Sequence, residues 1–241
     1  MRLYLSAVQI LLATSATAAQ LQYVSLGSSY AAGPGLTTNY PHLIASALSA
    51  KLTDRSVSGS LLKDISSQIA GIPSNTNIVT LTSGGNDLNY ILGLITHVAP
   101  AQTVTLQELT TRFTTALDSI HRIAPNATVY LVEYLTMLTL ATKPYIDVPF
   151  NGAEITKFEA IFSTLKAAMG ASVKGREKWV VVVPVSERSV GHALGSRETL
   201  WVNGATVPFG AGGILWHPNT AGTRFVADLT VGFIKRGGVA I

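Results

Sequence analysis

The sequence predicts an α/β fold in three layers, with a central parallel sheet of about five strands between two layers of helices. Three observations predict it. Short runs rich in β-branched residues, clearest at 78–82 and 179–183, recur along the chain and suit buried strands. Segments of helical length and periodicity separate these runs. Strands joined through helices need crossover connections, and those produce a parallel sheet covered on both faces. With 241 residues, 47% hydrophobic and 12% charged, the chain can bury a substantial core and is unlike a disordered one.

The elements follow in order. Residues 21–26 form a first strand that runs into the glycine-rich loop 27–35. Pro41 suits the first turn of a helix extending to about residue 52. Residues 55–58 are the second strand, ending at Gly59. The β-branched run 78–82 is the third, and it stops at the turn cluster Ser83, Gly84, Gly85, Asn86 and Asp87. Thr105 and Glu108 have the spacing of a capping box and open an amphipathic helix to about residue 123. Pro125 and Asn126 break that helix before a fourth strand at 128–133. A helix over 154–174, a strand at 179–183 ended by Pro184, and a closing helix at 220–233 complete the pattern. Segments 136–150 and 186–213 lack clear periodicity, and loops of such length in a compact domain tend to carry function.

The N-terminus has its own pattern. Arg2 precedes an apolar run over 3–13 and a small-residue stretch ending near Ala18 and Ala19. This is the organisation of a secretory signal peptide, so residues 1–19 are expected to be removed, leaving one domain over 20–241 and an extracellular protein. The apolar run is shorter than the ~20 residues a membrane-spanning helix needs, and no stable membrane insertion is expected. The formal charge is +4, from 17 basic and 13 acidic residues. The basic residues are scattered, without the clustering of a nucleic-acid-binding surface, and the expected protein is a monomer. Cysteine is absent, so the core must hold the fold without disulfides. Asn126 with Thr128 forms a glycosylation sequon.

Ligands of open α/β sheets bind beyond the carboxyl ends of the strands. Three polar, glycine-containing segments fall there: Gly27-Ser28-Ser29, Ser58-Gly59-Ser60 and Gly84-Gly85-Asn86-Asp87. Singly, each is an ordinary turn. The loop at 27–35 has no lysine of a phosphate-binding P-loop. A fourth piece is His217, held between Trp216 and Pro218 just ahead of the last helix. Of the other histidines, His42 and His121 sit within helical patterns, and His97, at a helix-to-loop exit, has no evident partner.

Serine at the first strand end, glycine at the second, Gly-Gly-Asn-Asp at the third and His-Pro-Asn near the C-terminus together resemble the SGNH hydrolases, the GDSL-type esterases and lipases. The segment from Gly191 to Ser196, followed by 200–204, is similar to the branch of secreted actinobacterial and fungal esterases. That branch often has a cysteine where Gly195 stands. The resemblance implies a flavodoxin-like fold and hydrolysis of carboxylic esters, small or lipid, without metal or other cofactor. It implies Ser29 as nucleophile, His217 as general base, and an oxyanion hole from the Ser29 N–H, the Gly59 N–H and the Asn86 amide. Leu135, Met137, Leu138, Leu140, Tyr145, Phe150 and Trp201 in the loops suit a hydrophobic acyl group, and equally suit packing of those loops.

Two positions depart from the family pattern. Ser28 stands where an aspartate usually precedes the nucleophile. Ile214 stands three residues before His217, where the family places the acid of its triad, and no acidic residue lies between Glu198 and Asp228. A backbone carbonyl within 214–216, Ile214 first, is then expected to orient His217 in a Ser–His dyad. A carboxylate from elsewhere in the fold is a second account, and a catalytically impaired secreted binding protein a third. Polysaccharide deacetylation is an alternative reaction. An α/β-hydrolase is disfavoured because Gly-x-Ser-x-Gly is absent, and a zinc hydrolase because His-Glu-x-x-His is absent.

Overall fold

A computed structural model of the protein describes residues 20–237. The 1–19 segment read as a signal peptide lies outside the described residues. In chain order the elements are β1 (Gln22–Gly27), α1 (Ser29–Ala32), α2 (Tyr40–Leu48), β2 (Lys51–Asp54), α3 (Ile65–Gln68), β3 (Ile78–Thr82) and α4 (Tyr90–Thr96). There follow α5 (Leu106–Ile123), β4 (Thr128–Val132), α6 (Gly152–Ser172), β5 (Val180–Val183), α7 (Val185–Arg188) and α8 (Thr220–Arg236).

The five strands form one parallel sheet in the order β2-β1-β3-β4-β5. This is the flavodoxin-like order, and its direction reverses between β1 and β3. Right-handed crossovers therefore put the helices on opposite faces. Helices α2 and α8 pack together as one layer, and α5 packs with α6 in the other. Every residue of β3 is buried, as expected of a central strand with both faces covered.

Local chemistry sets the helix boundaries. Thr105 Oγ1 accepts from the Glu108 N–H at 3.1 Å while Glu108 returns to the Thr105 N–H at 2.8 Å, the reciprocal cap expected there. Helix α5 then buries Leu109, Phe113, Ala116, Leu117 and Ile120, a single helical stripe. Asn151 caps α6 through the N–H groups of Ala153 and Glu154. Asn219, two residues past His217, caps α8 through the Gly222 N–H at 3.0 Å.

One strand differs from expectation. The second strand occupies Lys51–Asp54 rather than 55–58, and α2 stops at Leu48, where Ser49 adopts a left-handed conformation (φ 51°). The edge strand is polar and only partly buried, so its sequence lacks the β-branched signal of the central strands. Residues 55–60 instead form the loop that carries Gly59. Among the described residues no helix is long and apolar enough to cross a membrane.

Candidate active site

The site lies at the carboxyl ends of β1 and β3, where the sheet order reverses. Strand β1 ends in Gly27 (φ 129°), and a side chain there would overlap the Thr82 carbonyl at the end of β3. Glycine is thus required. The close approach lets Ser28 donate its N–H to that carbonyl at 2.9 Å, and the chain then turns into α1 with Ser29 as its first residue.

A second feature fixes this turn. Buried Gln68 accepts from the Gly27 N–H at 2.8 Å and donates to the Gly27 carbonyl at 3.0 Å and to Ser60 Oγ at 3.1 Å. Ser60 Oγ itself donates to the Gly27 carbonyl at 3.0 Å. The Ser60 carbonyl accepts from the Asn86 side-chain amide at 3.0 Å. Ser60 therefore ties together the loop before Ser29, the loop holding Gly59 and the turn holding Asn86. Asp87, its side chain buried, completes the anchorage by accepting from the Leu62 N–H and from Arg112, both at 3.0 Å. Among the described residues the Ser29 and Gly59 N–H groups have no protein acceptor, which leaves both free to donate elsewhere.

His217 arrives from the other end of the chain. Trp216 is fully buried against Phe150 and His97 and is held in a left-handed conformation (φ 57°), uncommon for a bulky residue. Its carbonyl accepts from the Tyr30 hydroxyl at 3.2 Å, which links it to the residue after Ser29. The Tyr30 ring packs on His217 and on Tyr134. The Tyr134 hydroxyl meets Ser28 Oγ and the Gly85 N–H, each at 3.2 Å. Ser28, where an aspartate was expected by the resemblance, thus has its own buried partner.

His217 Nε2 lies 2.8 Å from Ser29 Oγ, and Nδ1 lies 2.7 Å from the Leu215 carbonyl. A carbonyl can only accept, so Nδ1 carries the proton and Nε2 is free to accept the hydroxyl proton of Ser29. Burial lowers the histidine pKa below its ordinary value, and the bond to Leu215 acts in the opposite direction. The net shift favours the neutral imidazole, the form in which Nε2 can accept a proton.

The carbonyl at Nδ1 is that of Leu215, which corrects the expectation for Ile214. The Ile214 carbonyl accepts instead from the Asn203 amide at 3.2 Å. The left-handed Trp216 reverses the chain between positions 215 and 217, and this brings the nearer carbonyl back to the ring. Ser29 and His217, far apart in sequence, are brought together; Gly59 and Asn86 stand in loops joined through Ser60. Gln68, Ser60, Tyr30, Tyr134 and Trp216 were not singled out as site residues from sequence. Gln68 lies in a polar helical turn that looks like surface, and nothing in the one-dimensional pattern marks it.

A buried serine–histidine pair at the switch point of a flavodoxin-like sheet is the arrangement of a serine hydrolase. Residues 25–225 match the GDSL-like lipase/acylhydrolase family, so the chain belongs to that family and is a carboxylic ester hydrolase. It is 27% identical to Lipase 2 of Streptomyces coelicolor over 88% of this chain and 85% of that protein. Among solved structures, phospholipase A1 of Streptomyces albidoflavus matches with a TM-score of 0.72 at 20% identity, covering 90% of this chain and all (100%) of that one. The extracellular lipase of Streptomyces rimosus matches with a TM-score of 0.67 at 21% identity, covering 88% and 98%. The two structural likenesses establish the fold.

Proposed function

We propose that the protein is a secreted esterase or lipase that cleaves carboxylic esters through an acyl intermediate on Ser29. Ser29 Oγ attacks the ester carbonyl carbon while its proton passes to His217 Nε2. The carbonyl oxygen becomes an oxyanion, held by the Ser29 N–H, the Gly59 N–H and the Asn86 amide. The intermediate collapses, the carbon–oxygen bond to the alcohol breaks, and the leaving alkoxide takes the proton from Nε2. Water then attacks the acyl-serine by the same route in reverse, with His217 again accepting and returning a proton, and the carboxylic acid leaves.

The observation that carries this reading is the 2.8 Å approach of His217 Nε2 to Ser29 Oγ, with the other ring nitrogen engaged by Leu215. The Leu215 carbonyl takes the positional part of the triad acid's role but brings no negative charge to stabilise the imidazolium. The expected result is a working dyad slower than a full triad. The pattern of residues 1–19 and the extracellular description of the S. rimosus lipase support secretion. The names of the relatives support lipid esters as the substrate class.

A fluorophosphonate probe tests the reading. Labelling of the wild type at neutral to mildly alkaline pH, abolished by Ser29→Ala, is the expected result. An unlabelled wild type, or a Ser29→Ala protein labelled as strongly, overturns it.

A further inference from the structure

The loop that supplies the Leu215 carbonyl has a second surface. Its ends, Gly204 and Trp216, are joined by a hydrogen bond from the Trp216 N–H to the Gly204 carbonyl at 3.3 Å, so 205–215 is a closed Ω-loop, a type of surface loop that is often functional. It is rigidly fastened. The Ala205 N–H and the Thr206 hydroxyl both donate to Asp147, Asn203 donates to the Gly212 carbonyl, and the Gly213 N–H donates to the Gly35 carbonyl. The Thr220 N–H and hydroxyl both donate to the Ala211 carbonyl.

This clamped loop points apolar side chains at solvent. Pro208 to Ala211 is a turn closed by the Ala211 N–H on the Pro208 carbonyl at 3.0 Å, with Gly210 at φ 78°. Phe209 at its tip is 110% exposed, free of packing on every side. Val207, Ile214 and Leu215 on the same loop are also exposed, as is Ile146, next to the Asp147 that anchors it. Residues 199–223 contain no Asp, Glu, Lys or Arg. Leaving a phenylalanine in water forgoes the stabilisation that its burial would bring. Here the backbone is locked so that it cannot fold inward.

We infer that the 205–215 loop is a lipid-docking element: Phe209, with Val207 and Ile146 beside it, inserts into the surface of aggregated lipid and sets the Ser29–His217 site down on its substrate. The inference rests on the proposed esterase reading and narrows it, from esters in general to esters presented at an interface. Position favours lipid over a protein partner. The loop borders the site, since its own Leu215 carbonyl holds His217, and a protein covering it would obstruct the entrance, whereas a lipid surface delivers the ester. Charge agrees. An uncharged, apolar tip suits shallow insertion. Asp147, the carboxylate that anchors the loop, is itself engaged by the Thr206 hydroxyl.

The test separates docking from chemistry. Ser29→Ala protein is sedimented with mixed phosphatidylcholine–phosphatidylglycerol vesicles, alone and with Phe209→Ser added. The expected result is vesicle binding by the single variant and about tenfold weaker binding by the double one. In the wild-type background, Phe209→Ser should turn over a water-soluble short-chain p-nitrophenyl ester at the unaltered rate, which also verifies the fold. Absence of vesicle binding by Ser29→Ala, or equal binding by both proteins, overturns the inference. A wild type inactive on every ester refutes the esterase reading and leaves the vesicle result to stand by itself.

Discussion

The Leu215 carbonyl oxygen lies 2.7 Å from His217 Nδ1, in the place where a triad would put a carboxylate. The orienting group is neutral and cannot titrate, so the pH behaviour of the site belongs to His217 itself. Burial lowers its pKa, chiefly by desolvation. As the proposed base, His217 works only when neutral, so kcat/KM for a soluble ester should rise along an acid limb centred below the ordinary histidine value of about 6.5 and be level at neutral pH. The same depression makes a stability contribution that is complete above the ordinary value and is lost as pH falls through the lowered one. A pH–rate profile measures the limb, and a centre above the ordinary value contradicts the assignment.

Asn86→Ala removes a proposed oxyanion donor. Losses for one such donor are about 2.7–4 kcal/mol of barrier, so kcat should drop roughly a hundredfold or more while KM changes little. Because the amide also holds the Ser60 carbonyl, a thermal melt run alongside reports whether the fold has suffered. Wild-type turnover in a folded variant removes Asn86 from the mechanism.

Gln68→Leu probes the clamp under the turn that carries Ser29. It leaves the buried Gly27 N–H without an acceptor, at a cost of about 1–3 kcal/mol. Urea denaturation should show that loss. Steady-state kinetics of the folded fraction should show a lower kcat at nearly constant KM, because the turn carrying Ser29 loosens while the substrate's surroundings stay in place. A variant with unchanged stability and unchanged kcat would reduce Gln68 to a bystander.

Much of this was legible in the sequence, and the reasons differ by residue. Strand β3 and helix α5 are legible because both carry strong local signals, a β-branched run and a capping box. The edge strand is hard to place from sequence because partial burial leaves β2 without a distinctive composition. Ser29 and His217 stood out through ordered blocks, and the structure brings their side chains together. The carbonyl partner could be narrowed to three positions, but the choice between Ile214 and Leu215 depends on the left-handed turn at Trp216. Only tertiary packing against Phe150 and His97 sustains such a conformation in a tryptophan. Gln68 is invisible for a related reason: its buried hydrogen bonds are made to Gly27, 41 residues away, and to Ser60 in the preceding loop, and not to its neighbours along the helix.

The chain contains no cysteine. The loop that aims His217 is closed by backbone hydrogen bonds and by the side chains of Asn203 and Thr220. Its geometry is therefore indifferent to redox state. Thiol reductants, oxidants and disulfide isomerases have nothing in it to act on. The enzyme should assemble the same site in a reducing cytoplasm as in an oxidising exterior, with neither a reshuffling step during folding nor a covalent clasp to lose afterwards.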